Sequence, residues 1–196
     1  MSPVQSGTQK GLANVRYVLE KNASRFTVQA FSTGLLSAFG HDPTIAIRDF
    51  DGDVEFVPET YEKATLHVNV KPATFEVLDE MKRDDREKLQ RDMFEKVLEV
   101  DRFPNITYES NQISVQKLDE HLLQVHVVGE LTLHGVTEPH AFDARVQNSN
   151  MSLRISGEFA IRQSNYDIKP ASFVGGTLRL KDDLKFKFEI VAKPAS

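Results

Sequence analysis

The chain contains no cysteine among its 196 residues. Disulfides, thiolate metal sites and a cysteine nucleophile are therefore excluded. No apolar run approaches the roughly 20 residues that a membrane-spanning helix needs. No block dense in Lys and Arg is present, and the net charge is -5. That balance argues against nucleic acid or an anionic membrane surface as the main partner. The opening MSPVQSGTQKGLANV is polar and lacks the apolar core of a signal peptide, so a cytoplasmic location is the expectation. There is no Gly-x-Ser-x-Gly elbow, phosphate loop or dinucleotide fingerprint. No cofactor is expected.

What is present is alternation. Hydrophobic residues make up 40% of the chain, enough for one core and one domain. Period-2 patterns predict strands. In RFTVQAF, Phe26, Val28 and Ala30 share a face; in KATLHVNV, Leu66, Val68 and Val70 do. Further strands are expected in TIAIRDF, DGDVEF, HLLQVHVVGELTL, HAFDARV, MSLRISGEFAIR and LKFKFEI. One segment breaks the pattern. DDREKLQRDMFEKVLEV places Leu89, Met93 and Val97, then Phe94 and Leu98, at helical spacing, which predicts an amphipathic helix of about four turns near residues 84–100. Its stripe suits packing on the chain's own sheet; a lid or an oligomer surface is the alternative. A weaker helical turn is expected over Phe75–Met81. About four strands, one helix and then about six strands suggest an antiparallel sandwich or barrel. Residues 1–14 form a loose polar segment, and residues 15–193 a single domain.

Ala30, Gly129, Ala144 and Gly157 fall on inward faces. Small residues in a barrel wall leave room for a guest, or they mark bulges and sheet corners. The Lys-Asp-Asp-Leu stretch at 181–184 reads as a hairpin turn, and Gly175-Gly176 as a turn between strands.

The stretch STGLLSAFGHDP combines an apolar run with a Gly-His-Asp-Pro end. Pro43 pushes Asp42 into extended backbone, and Asp side chains cap turns. A rigid turn entering TIAIRDF is one reading. A contact from His41 to a ligand head group is a second. A metal or hydrolytic site is a third. For the third, His134 and His140 bracket a tight turn, where hairpin partners approach each other. With Asp42 or Glu138 they would make a reasonable divalent-metal set. His67, His121 and His126 read as solvated. Arg162 is placed to meet either Asp167 or a ligand phosphate.

Several segments together resemble the YceI-like family of lipid-binding, lipocalin-like proteins. They are STGLLSAFGHDPTIAIRDFDGDVEF, VDRFPNITYES, VHVVGELTLHGVTEPHAF and RQSNYDIKP with KDDLKFKFEIVA. Tyr108 stands where that family usually has Phe, and Tyr166-Asp167 where it has Phe-Gly. The resemblance implies an all-β fold: an extended antiparallel lipocalin-like β-barrel with the one amphipathic helix inserted. It implies a pore holding a polyisoprenoid or another long-chain lipid, as carrier or store and not as an enzyme. Pore-lining candidates are Phe26, Phe31, Leu35, Leu36, Phe39, Val68, Phe159, Phe186 and Phe188, with ordinary core packing the alternative for each. Head-group candidates are His41 and Arg162. Many family members are periplasmic and often form homodimers, so a homodimer is a further expectation. Two other readings stay open: a metal-dependent enzyme using His41, His134 and His140, and a ligand-free structural or interaction protein.

Overall fold

The structure, a computed structural model, describes residues 13–33, 42–149, 151–170, 172–173 and 178–195. Six strands precede the helix: β1 (Val15–Leu19), β2 (Arg25–Thr33), β3 (Thr44–Ile47), β4 (Phe50–Phe56), β5 (Thr65–Val70) and β6 (Phe75–Val77). The helix α1 (Arg83–Asp92) follows. After it come β7 (Ile106–Lys117), β8 (Leu122–Leu133), β9 (Val136–Ser149), β10 (Ser152–Arg162), β11 (Ser172–Phe173) and β12 (Leu178–Pro194).

The strands close on themselves. The order β1-β4-β5-β7-β8-β9-β10-β12 returns to β1 through the pairing of Leu19 with Ala192. Each of these pairings is antiparallel. The architecture is therefore a barrel of eight strands and not a sandwich. One end is extended by three more strands. β2 continues β1 after a single 3-10 turn at Lys21–Ala23, and pairs with β12 from Arg179 to Glu189. β3 lies beside β2, and β6 beside β3. The inner faces are the alternating sets read from the sequence. Phe159 lies opposite Phe186, Gly157 opposite Phe188, and Val127 opposite Phe142.

Three local expectations change. Phe75 and Val77 form β6, not a helical turn, because their alternation lets them pair with Ile47 and Ile45. Two short strands, β1 and β6, raise the count before the helix from about four to six. The Lys-Asp-Asp-Leu stretch is no hairpin turn: it lies inside the 17-residue β12, where the register with β2 shifts between Leu180 and Leu184. Asp182 there accepts hydrogen bonds from the Ser164 amide at 2.8 Å and from its hydroxyl at 2.5 Å. The bulge thus anchors the 3-10 turn Gln163–Tyr166. Gly175-Gly176 lies outside the described residues.

The helix is also altered. Asp84 and Asp85 occupy its first turn, where carboxylates suit the helix dipole. Regular α-helix ends at Asp92, and Met93–Val97 form a π-helical turn closed by Leu98 N–H donating to Met93 O at 2.9 Å. The helix covers the free edge of β6. Gln90 does this with one amide: its Nε2 donates to Phe75 O, and its Oε1 accepts from Val77 N–H at 3.3 Å. One side chain thus stands in for a missing strand. Gln90→Ala is expected to cost about 1–2 kcal/mol. It should also speed amide exchange at Val77 while leaving Val125, in the middle of β8, protected. Unchanged exchange at Val77 would show that the latch contributes nothing.

Candidate functional site: an apolar pore

The inner faces do not meet at the centre. They leave a cavity of about 280 Å³. Nearly every long strand contributes to its wall, and the helical segment adds Leu89, Met93, Val97 and Leu98. Four of the five residues of the stripe predicted for the helix thus face the barrel interior, and Phe94 does not line the cavity. Among the described residues no Lys, Arg, Asp or Glu lines the cavity.

Of the expected pore residues, Phe26, Val68, Phe159, Phe186 and Phe188 lie on this wall. They belong to a band of rings. Phe159 stacks on Phe186 with centroids 4.8 Å apart, and Phe142 meets Phe188 edge-on at 5.8 Å. Phe26 meets Phe188 at 6.3 Å. Such pairs add to burial energy and hold the rings in place. Leu35, Leu36, Phe39 and His41 lie outside the described residues. Asp42 accepts from both the amide and the hydroxyl of Ser32 at 2.8 and 3.0 Å, joining the end of β2 to the start of β3.

Three expectations are corrected. Phe31 does not line the cavity: it alternates with Ala30 on β2 and shares the outward face of Arg25, Thr27 and Gln29. Its ring lies 6.0 Å from Lys181 Nζ. Arg162 points to solvent with its side chain 69% exposed, and its Nε lies 3.6 Å from Asp183 Oδ1, not beside Asp167 or the pore. His134 and His140 do not face each other. The turn consists of His134 and Gly135, because Leu133 pairs with Val136, and this register sets His140 opposite Gly129. His134 instead packs on Phe103, ring centroids 4.3 Å apart, with Nε2 3.3 Å from Glu99 Oε1. Among the described residues no cluster of three or more His, Cys, Asp or Glu is arranged to hold a metal ion.

The small inward residues divide. A Cβ on Gly129 would lie 2.7 Å from the Tyr108 hydroxyl, and one on Gly157 2.6 Å from Phe188 Cζ. At both glycines a neighbouring ring and a neighbouring strand's carbonyl take the room, Glu109 O beside the Cβ at Gly129 and Asp143 O at 2.7 Å from the one at Gly157. Ala30 and Ala144 lie on the cavity wall.

A few polar groups reach the wall, among them Tyr108, His140, Asn148 and Gln163. Sequence reasoning missed Tyr108 and Gln163 as wall residues. Tyr108 could have been found, since it replaces a Phe on an inward position. The Tyr108 hydroxyl donates to His140 O at 3.0 Å, and burial pushes its pKa up to about 12. Gln163, only 3% exposed, donates from Nε2 to Lys181 O at 2.9 Å. His140 sits edge-on to Phe159 with centroids 4.9 Å apart, and its Nε2 is buried without a hydrogen-bond partner. Of the histidines read as solvated, His67 lies 3.1 Å from Glu109 and His126 2.9 Å from Asp143, both on the outer face.

Burial holds the His140 imidazole below its ordinary pKa. The folded protein then binds fewer protons than the unfolded chain once pH falls below about 6.5. Its contribution to stability is full above that pH and is lost as pH falls through the folded value. The melting temperature should therefore drop as pH falls below about 6.5, and drop less in His140→Phe. Parallel pH profiles for the two proteins would show that His140 is not linked to folding.

A closed antiparallel barrel of eight strands, with a described cavity wall that carries no charged side chain, is an architecture with room for one small apolar guest. Residues 17–192 match the YceI-like domain, and the chain belongs to that family. Its barrel is similar to the crystal structure of BcnA from Burkholderia cenocepacia: 16% identity, TM-score 0.68, covering 89% of this chain and 99% of that one. It is also similar to a polyisoprenoid binding domain from Saccharophagus degradans implicated in plant cell wall breakdown. There the identity is 14% and the TM-score 0.67, over 92% of this chain and 99% of that one. A YCEI protein of Campylobacter jejuni matches with 18% identity and a TM-score of 0.58, over 78% of this chain and 85% of that one. At these identities the likeness is one of fold. No curated protein matches the chain in sequence.

Proposed function

We propose that this protein binds a long-chain lipid, a polyisoprenoid foremost, in the barrel pore and acts as its carrier or store. The observation that carries this reading is the cavity itself: a sizeable interior space whose described wall bears no charged side chain. The Saccharophagus degradans relative, a polyisoprenoid binding domain, supports the choice of tail. The energetics are adequate. Burying about 300–400 Å² of tail at roughly 25 cal/mol per Å² yields on the order of 8–10 kcal/mol before losses. Ordering the tail and losing translational freedom take back a large share. Micromolar binding or better follows without any hydrogen bond. We read the protein as a binder and not a catalyst, because the described wall groups include no paired carboxylates and no nucleophile beside a base.

Native mass spectrometry of the freshly purified protein, with solvent extraction, tests this. A bound species of several hundred daltons with a prenyl or acyl tail is expected. The bare polypeptide mass, under conditions that keep other lipid carriers loaded, would overturn the reading. A residual mass matching zinc or iron would favour a metal-dependent enzyme instead. A substitution gives a second check. Ile155 lies on the cavity wall, and Ile155→Trp adds bulk there. Lipid affinity should fall about tenfold or more, with a loss of only about 1–3 kcal/mol in stability. Unchanged affinity in the folded variant would move the binding site elsewhere.

A further inference from the structure

The cavity wall is almost wholly apolar, yet β9 places an imidazole on it. His140 occupies the position on β9 between Glu138, which lies near Tyr166, and Phe142. Its ladder partner is Gly129, which has no side chain to bond it. Phe142 and Phe159 flank the ring, with centroids 6.5 and 4.9 Å away. The Tyr108 hydroxyl is already committed to the His140 carbonyl. Among the described residues nothing bonds Nε2, which is shut away from water.

A buried nitrogen without a partner is costly, and sequences seldom retain one without use. A Leu or Phe at this position would complete the apolar band without that cost. Structural need therefore does not explain the imidazole. A guest carrying a hydrogen-bonding group does. The charge of that group is constrained as well. Among the described residues, no cation lines the cavity to balance a phosphate or carboxylate drawn to this depth. A buried, unpaired anion is far more expensive than a buried hydroxyl. A hydroxyl also both donates and accepts, so it satisfies either tautomer of a neutral imidazole.

Resting on the pore reading above, we infer that His140 is an internal polar anchor for a neutral, hydroxyl-bearing lipid whose polar group lies inside the barrel against β9. This contact requires the imidazole to turn from Phe159 so that Nε2 meets the guest. The tail then lies along the apolar wall. The hydrogen bond selects alcohols over hydrocarbons of equal length, because a bare hydrocarbon leaves the nitrogen unsatisfied.

The test uses the delipidated full chain and three probes with the same tail: farnesol, farnesene and farnesyl diphosphate. Affinities are read by competition against a fluorescent fatty probe. The His140 ring nitrogens are followed by nitrogen-15 NMR of the wild type, which needs no variant. Farnesol should bind about tenfold more tightly than farnesene, and should move the His140 ring resonances. In His140→Phe that preference should vanish while farnesene binding persists. His140→Leu provides the same comparison should the Phe variant not fold. Equal binding of alcohol and hydrocarbon with unmoved His140 resonances overturns the anchor and leaves the pore intact. So does tightest binding of the diphosphate with the same preference in wild type and variant, since its charge would then sit elsewhere. If no probe binds the wild type, the pore reading itself fails, and the anchor with it.

Discussion

The structure depends on the closing of one sheet by its last strand. β12 pairs along one edge with β10 and along the other with both β1 and β2. A shorter strand could satisfy one of those partners but not both. Closure removes the exposed edges of the eight-strand ring and commits every inward residue to a shared interior. The cavity follows from that geometry. A closed ring of eight strands has an interior wide enough for side chains to fill or for one small guest. Here the rings of Phe142, Phe159, Phe186 and Phe188 fill part of it and leave the rest open.

Where the ring is extended, a different device is needed. β6 carries an edge that no described strand covers, and the Gln90 amide meets it with one donor and one acceptor. The helix is otherwise largely exposed, and reaches the interior through Leu89 and the π-helical turn. π-helical turns often occur at functional positions. In this protein the turn sets Met93 and Val97 against the cavity. The helix is thus part of the container wall.

Much of the architecture was legible in the residues. The alternation in HLLQVHVVGELTL and LKFKFEI sets the inward faces of β8 and β12 as found. The helical spacing of Leu89, Met93 and Val97 identifies the one helix. Errors arose where local rules gave way to pairing. Phe75-Glu76-Val77 has too few residues for its period to be read, and pairing with β3 decides it. Asp182-Asp183 has turn chemistry, yet it sits in a bulge that a neighbouring turn uses. Phe31 is apolar, but parity on β2 sends it outward. His134 and His140 were placed opposite each other because the turn was centred near Thr137, whereas it lies at His134-Gly135, and a shift of register moves every partner.

The sequence by itself determined the antiparallel all-β class of fold, the inward alternation and the amphipathic helix near residues 84–100. Those properties are local, carried by the period of apolar residues along each strand. Only the tertiary structure decided that the sheet closes, that space remains inside it, and that His140 meets Phe159 without a partner for Nε2. Such features depend on which strands become neighbours and in what register. Those pairings join residues as distant as Leu19 and Ala192, and no local pattern encodes them.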